Sequence, residues 1–207
     1  MPTRNRIKTY IPEAYYHVYN RGLNKQTTFV DNYDYATFLN LLKRYLSKEP
    51  VKDKRGREYK TLYGKLELLA FCLQPNHFHL LIYQEDSRLM TDLLHRVTTA
   101  YTSYFNKRHR RGGPLFHERF KASHIGRDEY LQHISRYIHL NPKDYENWDF
   151  SSLSYYTGKK NADWVKTARI NELFEDHKEY MNFMRDYESH KKIIEEIKED
   201  LANSSDL

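Results

Sequence analysis

The chain has 207 residues, with 34 Lys and Arg against 28 Asp and Glu, 19 Tyr and a single Cys. That length holds one domain with an appendage, or two small domains. One cysteine, Cys72, excludes an internal disulfide framework and a cysteine-cluster metal site, and no apolar run reaches the length of a membrane span.

The first residues lack the apolar core of a signal peptide, so the sequence reads as soluble and cytoplasmic. Charge is segregated. From Asn171 onward there are 5 Lys and Arg and 11 Asp and Glu, whereas residues 1–170 carry 29 basic and 17 acidic side chains. A body at +12 suits a polyanionic partner, and a tail at −6 does not. The expected division is a domain over 1–170 and an acidic helical extension over 171–207.

In chain order, Tyr15–Asn20 alternates and is rich in β-formers, so it is expected to be a strand. Asp31 is placed to cap a helix running to about Ser47, with Tyr35, Phe38, Leu39, Leu42 and Leu46 as its apolar stripe. Residues 48–60 are polar and hold Pro50 and Gly56, as an exposed loop would. Lys65–Leu73 and His77–Gln84 read as an antiparallel hairpin joined at Gln74-Pro75-Asn76. A second helix is expected over 87–108, and an extended arm or strand over Leu115–Ile125. A third helix should begin near Asp128 as its cap and stop at Asn141-Pro142, because the residue before a proline disfavours helical geometry. Residues 143–169 read as a packed extension, and Asp176–Leu201 as a terminal helix. The order β-α-β-β-α-β-α implies an α+β sandwich of the ferredoxin-like type, with helices on one face of an antiparallel sheet.

Three groups of residues carry chemistry. His77 and His79 lie two apart in an expected strand, so both side chains leave the same face while Phe78, Leu80 and Ile82 enter a core. Paired imidazoles can bind a divalent metal. On the third helix, His133, Tyr137 and Asn141 are spaced by four. Asn141 at the helix end offers a neutral carbonyl oxygen as a third ligand, and Tyr137, one turn back, offers a phenol for attack on a polarised phosphate. A packing role is the ordinary alternative for each of these side chains. Finally, Lys107, Arg108, Arg110, Arg111, Arg119, Lys121 and Arg127 alternate with Tyr101, Tyr104, Phe105, Phe116 and Phe120. Charge plus stacking rings is how single-stranded nucleic acid is held.

Four ordered blocks then resemble one family: YYHVYNRG, PNHFHLL, YFNKRHRRGGPLFHERFKA and DEYLQHISRYIHLNP. Across about residues 13–158 the chain is similar to the single-tyrosine HUH transposases of small insertion sequences, and to the transposases associated with repetitive extragenic palindromes. The resemblance implies a ferredoxin-like HUH nuclease acting on single-stranded or hairpin DNA. It implies Mg²⁺ or Mn²⁺ on His77, His79 and Asn141, and a 5′-phosphotyrosine at Tyr137. The insertion-sequence branch often has Gln at the third ligand, so Asn141 places the chain nearer the palindrome-associated branch. Arg108, Arg110, Arg111, Arg119 and Lys121 are the expected DNA contacts. Family members occur as monomers and as homodimers. Two other readings use the same residues: a non-catalytic nucleic-acid-binding module, and a metal-dependent hydrolase in which Tyr137 only orients water.

Overall fold

The computed structural model describes residues 10–127 and 129–186. Its strands are β1 (Ala14–Arg21), β2 (Leu66–Gln74), β3 (His77–Gln84) and β4 (Lys121–Ile125). The principal helices are α1 (Asn32–Leu46), α2 (Leu89–Arg108) and α3 (Glu129–His139). Three shorter helices follow: α4 (Leu153–Tyr156), α5 (Ala168–Asn171) and α6 (His177–Arg185). The sheet has the order β2-β3-β1-β4, with every neighbouring pair antiparallel. This is the ferredoxin-like α+β arrangement that the element order implies.

One expectation changes. Helices cover both faces of the sheet rather than one. β2 (LELLAFCLQ) and β3 (HFHLLIYQ) are apolar at positions of both parities, so each face needs a cover. On one side, α1 and α2 bury Phe38, Leu42, Leu93 and Val97 against Val18, Leu68, Phe78, Leu80 and Ile82. On the other, α3, α4 and α6 bury Ile134, Ile138, Tyr156, Tyr180 and Met184 against Leu69, Ala70, Cys72 and Leu81. A bulge at Leu68/Ala70 leaves Leu69 as an extra residue, so Leu69 and Ala70 enter the same core while Phe71 enters the other.

The local signals hold elsewhere. Asp31 caps α1 by accepting from the Tyr33 and Asp34 amides at 3.0 and 3.3 Å. The arm before β4 is mostly irregular, touching β1's end through a Gly22–Phe116 bridge and Leu23 N–H to the Leu115 carbonyl at 3.0 Å. Residues 148–166 close the outer edge of β2. The Trp148 indole donates to the Leu73 carbonyl at 2.9 Å, and the Leu73, Phe71 and Leu68 backbones pair with Phe150, Ser152 and Lys166. Asp128, expected to cap α3, and the terminal helix beyond Asp186 lie outside the described residues. Among the described residues, no helix is long and apolar enough to cross a membrane.

Gly22 ties β1 to the start of β3, its N–H donating to the Asn76 carbonyl at 2.8 Å. A Cβ there would lie 2.1 Å from the Gln26 carbonyl oxygen and 2.9 Å from Thr28 Cγ2. Since the nearer atom is backbone, Gly22→Ala is expected to lower stability by about 1–3 kcal/mol. A urea-denaturation midpoint checks this, and an unchanged midpoint would show that the loop relaxes freely.

Candidate active site

The site lies at one end of the sheet, on the face that α3 covers. Strand alternation sets its first members. Arg21 is the cross-strand neighbour of His77, Tyr19 of His79, and Lys121 of Tyr19. His17, Tyr19 and Arg21 therefore share the face of the two histidines. The His77 and His79 rings have centroids 5.1 Å apart and planes at 89°.

α3 brings the rest. Leu131, Ile134 and Ile138 form its buried stripe, which holds the neighbouring Tyr137 against the sheet. The Tyr137 ring stands edge-on to both His79, at 5.5 Å between centroids, and His17, at 5.7 Å. The helix lets go at His139, two residues before the expected end. Pro142 has no N–H to return to the Ile138 carbonyl, and the Asn141 amide takes that carbonyl in a looser turn at 3.4 Å. The released Asn141 side chain then meets His77, with Oδ1 3.1 Å from Nε2. His77, His79, Tyr137 and Asn141 are thus brought together from segments sixty residues apart. His133, on the same sequence spacing, is not in this group. It accepts from Arg136 Nη2 at 3.1 Å and packs on Phe183.

The contact between His77 and Asn141 has an informative polarity. Asn76 Nδ2 donates to the Lys25 carbonyl at 3.2 Å, so Asn76 Oδ1 is the acceptor for His77 Nδ1–H at 2.7 Å. A neutral His77 then turns the lone pair of Nε2 toward Asn141 Oδ1, also an acceptor. Such a pair needs a cation between its members, a turned amide, or a second proton on His77. Burial first, then the Arg21 charge, push the His77 pKa down, outweighing the raising effect of Asn141. Two cis ligands on an octahedral ion with bonds of about 2.1 Å lie roughly 3.0 Å apart, close to the separation seen. Among the described residues, no three His, Cys, Asp or Glu gather to hold a metal, so a cation on the two histidines would take the Asn141 amide oxygen as its third protein donor. Two neutral imidazoles and a carbonyl oxygen suit a divalent cation of intermediate hardness such as Mn²⁺ or Mg²⁺.

The basic arm divides on inspection. Arg108 pairs with Asp31 and Asp34 at 2.6 Å each, and buried Asp34 also holds His109 at 2.9 Å. Its charge serves the α1–α2 contact. The Arg108 hydrogen bond is the chief reason that the Asp31 carboxyl is held down at about 2. Arg111 Nη2 turns back to the Pro114 carbonyl at 3.2 Å. Arg110, Arg119 and Lys121 are exposed and have no protein partner among the described residues. Sequence reasoning missed Arg21, which is also exposed, and His17. Their signal was the alternation His17, Tyr19, Arg21 on a strand that pairs with the histidine strand.

Behind α3 lies a second polar cluster. Arg136 is fully buried and donates to the Phe183 carbonyl at 3.0 Å and the Asp186 carbonyl at 3.4 Å. His139 contacts the Tyr180 hydroxyl at 2.7 Å through Nδ1 and the Ser152 hydroxyl at 2.6 Å through Nε2. Burial holds its pKa at about 3 in the folded protein, against about 6.5 in an unfolded chain. The unfolded state therefore takes the proton first as pH falls. The stability contributed by neutral His139 is full above about pH 7 and is lost progressively toward pH 3, by about 2 kcal/mol at pH 5. Thermal melts of metal-free protein should show it: the loss between pH 7 and pH 5 shrinks by about that amount in His139→Gln. An identical loss in both proteins would place the proton elsewhere.

Comparison with known proteins supplies the context. Residues 43–141 match the family model described as Transposase IS200 like. No curated protein matches the chain. Among solved structures, it is similar to a REP-associated tyrosine transposase bound to a REP hairpin, with TM-score 0.52 and 17% identity over 79% of this chain and 92% of that one. At that identity the likeness is one of fold. A candidate transposase from Deinococcus radiodurans R1 is similar over 65% of this chain and 95% of that one, with 17% identity and TM-score 0.39, too low to carry weight. The stretch that matches the IS200-like transposase model, residues 43–141, includes the histidine pair, Tyr137 and Asn141.

Proposed function

We propose that the chain is a metal-dependent, single-strand-specific DNA nickase and strand transferase, working through a 5′-phosphotyrosine at Tyr137 on hairpin-bearing DNA. The observation that carries this reading is the convergence of His77, His79, Asn141 and Tyr137 on one end of the sheet. The family match supports a transposase, and the REP hairpin held by a protein of the same fold motivates the choice of substrate.

A divalent cation held by His77, His79 and Asn141 would neutralise the scissile phosphate and polarise it for in-line attack. The protein's own part is positioning. Tyr137 is kept against the histidines by the apolar stripe of α3. A phenol is protonated at neutral pH, so Tyr137 gives up its proton as its oxygen attacks phosphorus. The bond from phosphorus to the 3′ oxygen breaks, and that oxygen leaves as a 3′-hydroxyl after taking a proton. The phosphate remains as a 5′ ester on Tyr137, and attack by another 3′-hydroxyl reverses the step and joins strands. Arg21 and Lys121 flank the histidines on the same face and can pair with neighbouring phosphates, with Arg110 and Arg119 further along the arm. In this reading residues 1–170 form the nickase domain, and the described part of the acidic extension, to Asp186, braces α3.

The test is incubation of the full chain with a hairpin-bearing single strand, with Mn²⁺ or with a chelator, followed by a denaturing gel. A heat-stable protein–DNA band is expected with Mn²⁺ and absent with the chelator. Cleavage without such a band, leaving a free 5′-phosphate, would make the chain a hydrolase. Binding indifferent to the chelator, with no cleavage, would make it a binding module.

A further inference from the structure

His17 is a buried histidine that neither the core nor the proposed chemistry explains. It is 2% exposed on the central strand β1, where an apolar residue would ordinarily sit. Its Nε2 lies 2.9 Å from His79 Nδ1. The two rings are nearly parallel, with planes 8° apart and centroids separated by 5.1 Å, so the nitrogens face each other between the rings. Tyr19 stacks on both rings, at 5.3 Å from His17 and 5.8 Å from His79. Tyr137 stands edge-on to both. The remaining nitrogen of His17, Nδ1, has no hydrogen-bond partner among the described residues. A buried nitrogen left unsatisfied is costly, and such exceptions call for a reason.

In the arrangement inferred below, that nitrogen carries the proton of His17, a cost set against the orientation of His79. Between two neutral imidazoles, one nitrogen donates and the other accepts. If His17 Nε2 donates, His79 receives at Nδ1 and carries its own proton on Nε2, which then has no lone pair for a cation. If His79 Nδ1 donates, His79 Nε2 is unprotonated. Only the second arrangement makes His79 a ligand through the nitrogen that does not face His17. His77 has the same design by a different partner, its Nδ1–H being taken by Asn76 Oδ1. Metal-binding histidines commonly give their second N–H to an acceptor that fixes ring and tautomer.

We infer that His17 is a positioning residue: it accepts the Nδ1–H of His79 and holds that ring in the tautomer that offers an unprotonated Nε2 to a divalent cation. This rests on the metal-dependent reading above and adds a residue to it. The family blocks gave His17 no role, and its partner lies 62 residues away.

Two measurements on the full chain test it. Long-range ¹H–¹⁵N spectra of metal-free wild-type protein should show His79 protonated at Nδ1 and bare at Nε2; the opposite tautomer overturns the inference. Mn²⁺ affinity, read by electron paramagnetic resonance of the free ion, should fall by about 10- to 100-fold in His17→Phe. His17→Gln, whose amide oxygen can accept the same proton, should recover part of the loss. Mn²⁺ affinity lost in His77→Ala but unchanged in His17→Phe sinks the inference and leaves the metal reading intact. Wild-type protein that takes up no Mn²⁺ sinks both. Should His17→Phe fail to fold, the wild-type spectrum alone decides.

Discussion

Replacing Tyr137 by Phe is expected to abolish the covalent protein–DNA adduct and to slow strand cleavage by roughly 10³-fold or more, the scale seen when a nucleophile is deleted. Hairpin affinity should change by less than about twofold, because the basic arm is untouched. The substitution is clean in this setting. The Phe ring can keep the edge-on contacts with His17 and His79, so the histidine geometry is retained while one oxygen is lost. A matched control is available in Tyr19, a second phenol stacked on His79 at 5.8 Å. Tyr19→Phe should keep the adduct. A denaturing gel of both variants with labelled hairpin DNA reads the result. An adduct that persists in Tyr137→Phe and disappears in Tyr19→Phe would move the nucleophile from α3 to β1.

The second large effect is on stability. Tyr180→Ala is expected to cost about 3–5 kcal/mol, the usual range for emptying a buried aromatic site. For a chain of this size that is a fall in melting temperature of about 10 °C. Tyr180 is a hub as well as a filler. It stacks on Tyr156 at 4.9 Å, stands edge-on to Phe174 at 5.0 Å, and its hydroxyl meets Ser135 at 3.0 Å and His139 at 2.7 Å. Both hydroxyl partners belong to α3, the helix that carries Tyr137. Tyr180→Phe separates the two contributions: it keeps the rings and removes the hydroxyl, at a cost of about 1–3 kcal/mol for the partners left unpaired. Differential scanning calorimetry measures both variants. If Tyr180→Ala melts with the wild type, α6 is an ornament on α3 and not its brace.

Much of this was legible in the chain alone because the signals are local. Alternation in YYHVYN and the apolar run HFHLLI after a short turn marked two strands, Asp31 the start of α1, and Pro142 the approximate end of α3. The grouping of His77, His79, Tyr137 and Asn141 was also within reach, through spacing and the ordered family blocks. What escaped depends on register and on partners distant in sequence. His17 reads as one more strand residue until β1 is laid beside β3, when it falls diagonally across from His79. Arg108 reads as one more free cation until α1 and α2 pack and two aspartates claim it. The cover on the second sheet face was hidden for a similar reason. The helices α3 and α6 were marked in the chain, but the face each covers depends on the path between them, and α4, at Leu153–Tyr156, is too short to show a helical period.

The bulge in β2 bears on how this strand can change length. With Leu69 left out, Leu68 opposite Ile82 would be followed directly by Ala70 opposite Leu81, and every later residue would keep its partner. Leu69 is therefore the position at which a deletion preserves the ladder, at the loss of one buried side chain and of the carbonyl that receives the Tyr156 hydroxyl at 2.9 Å. Loss of Phe71 or Leu73 instead would slide the end of the strand by one residue and turn its remaining side chains to the opposite core. Among related chains, gaps in this strand should therefore cluster at the position of Leu69, and homologues lacking it should be short of a hydroxyl at the position of Tyr156 as well.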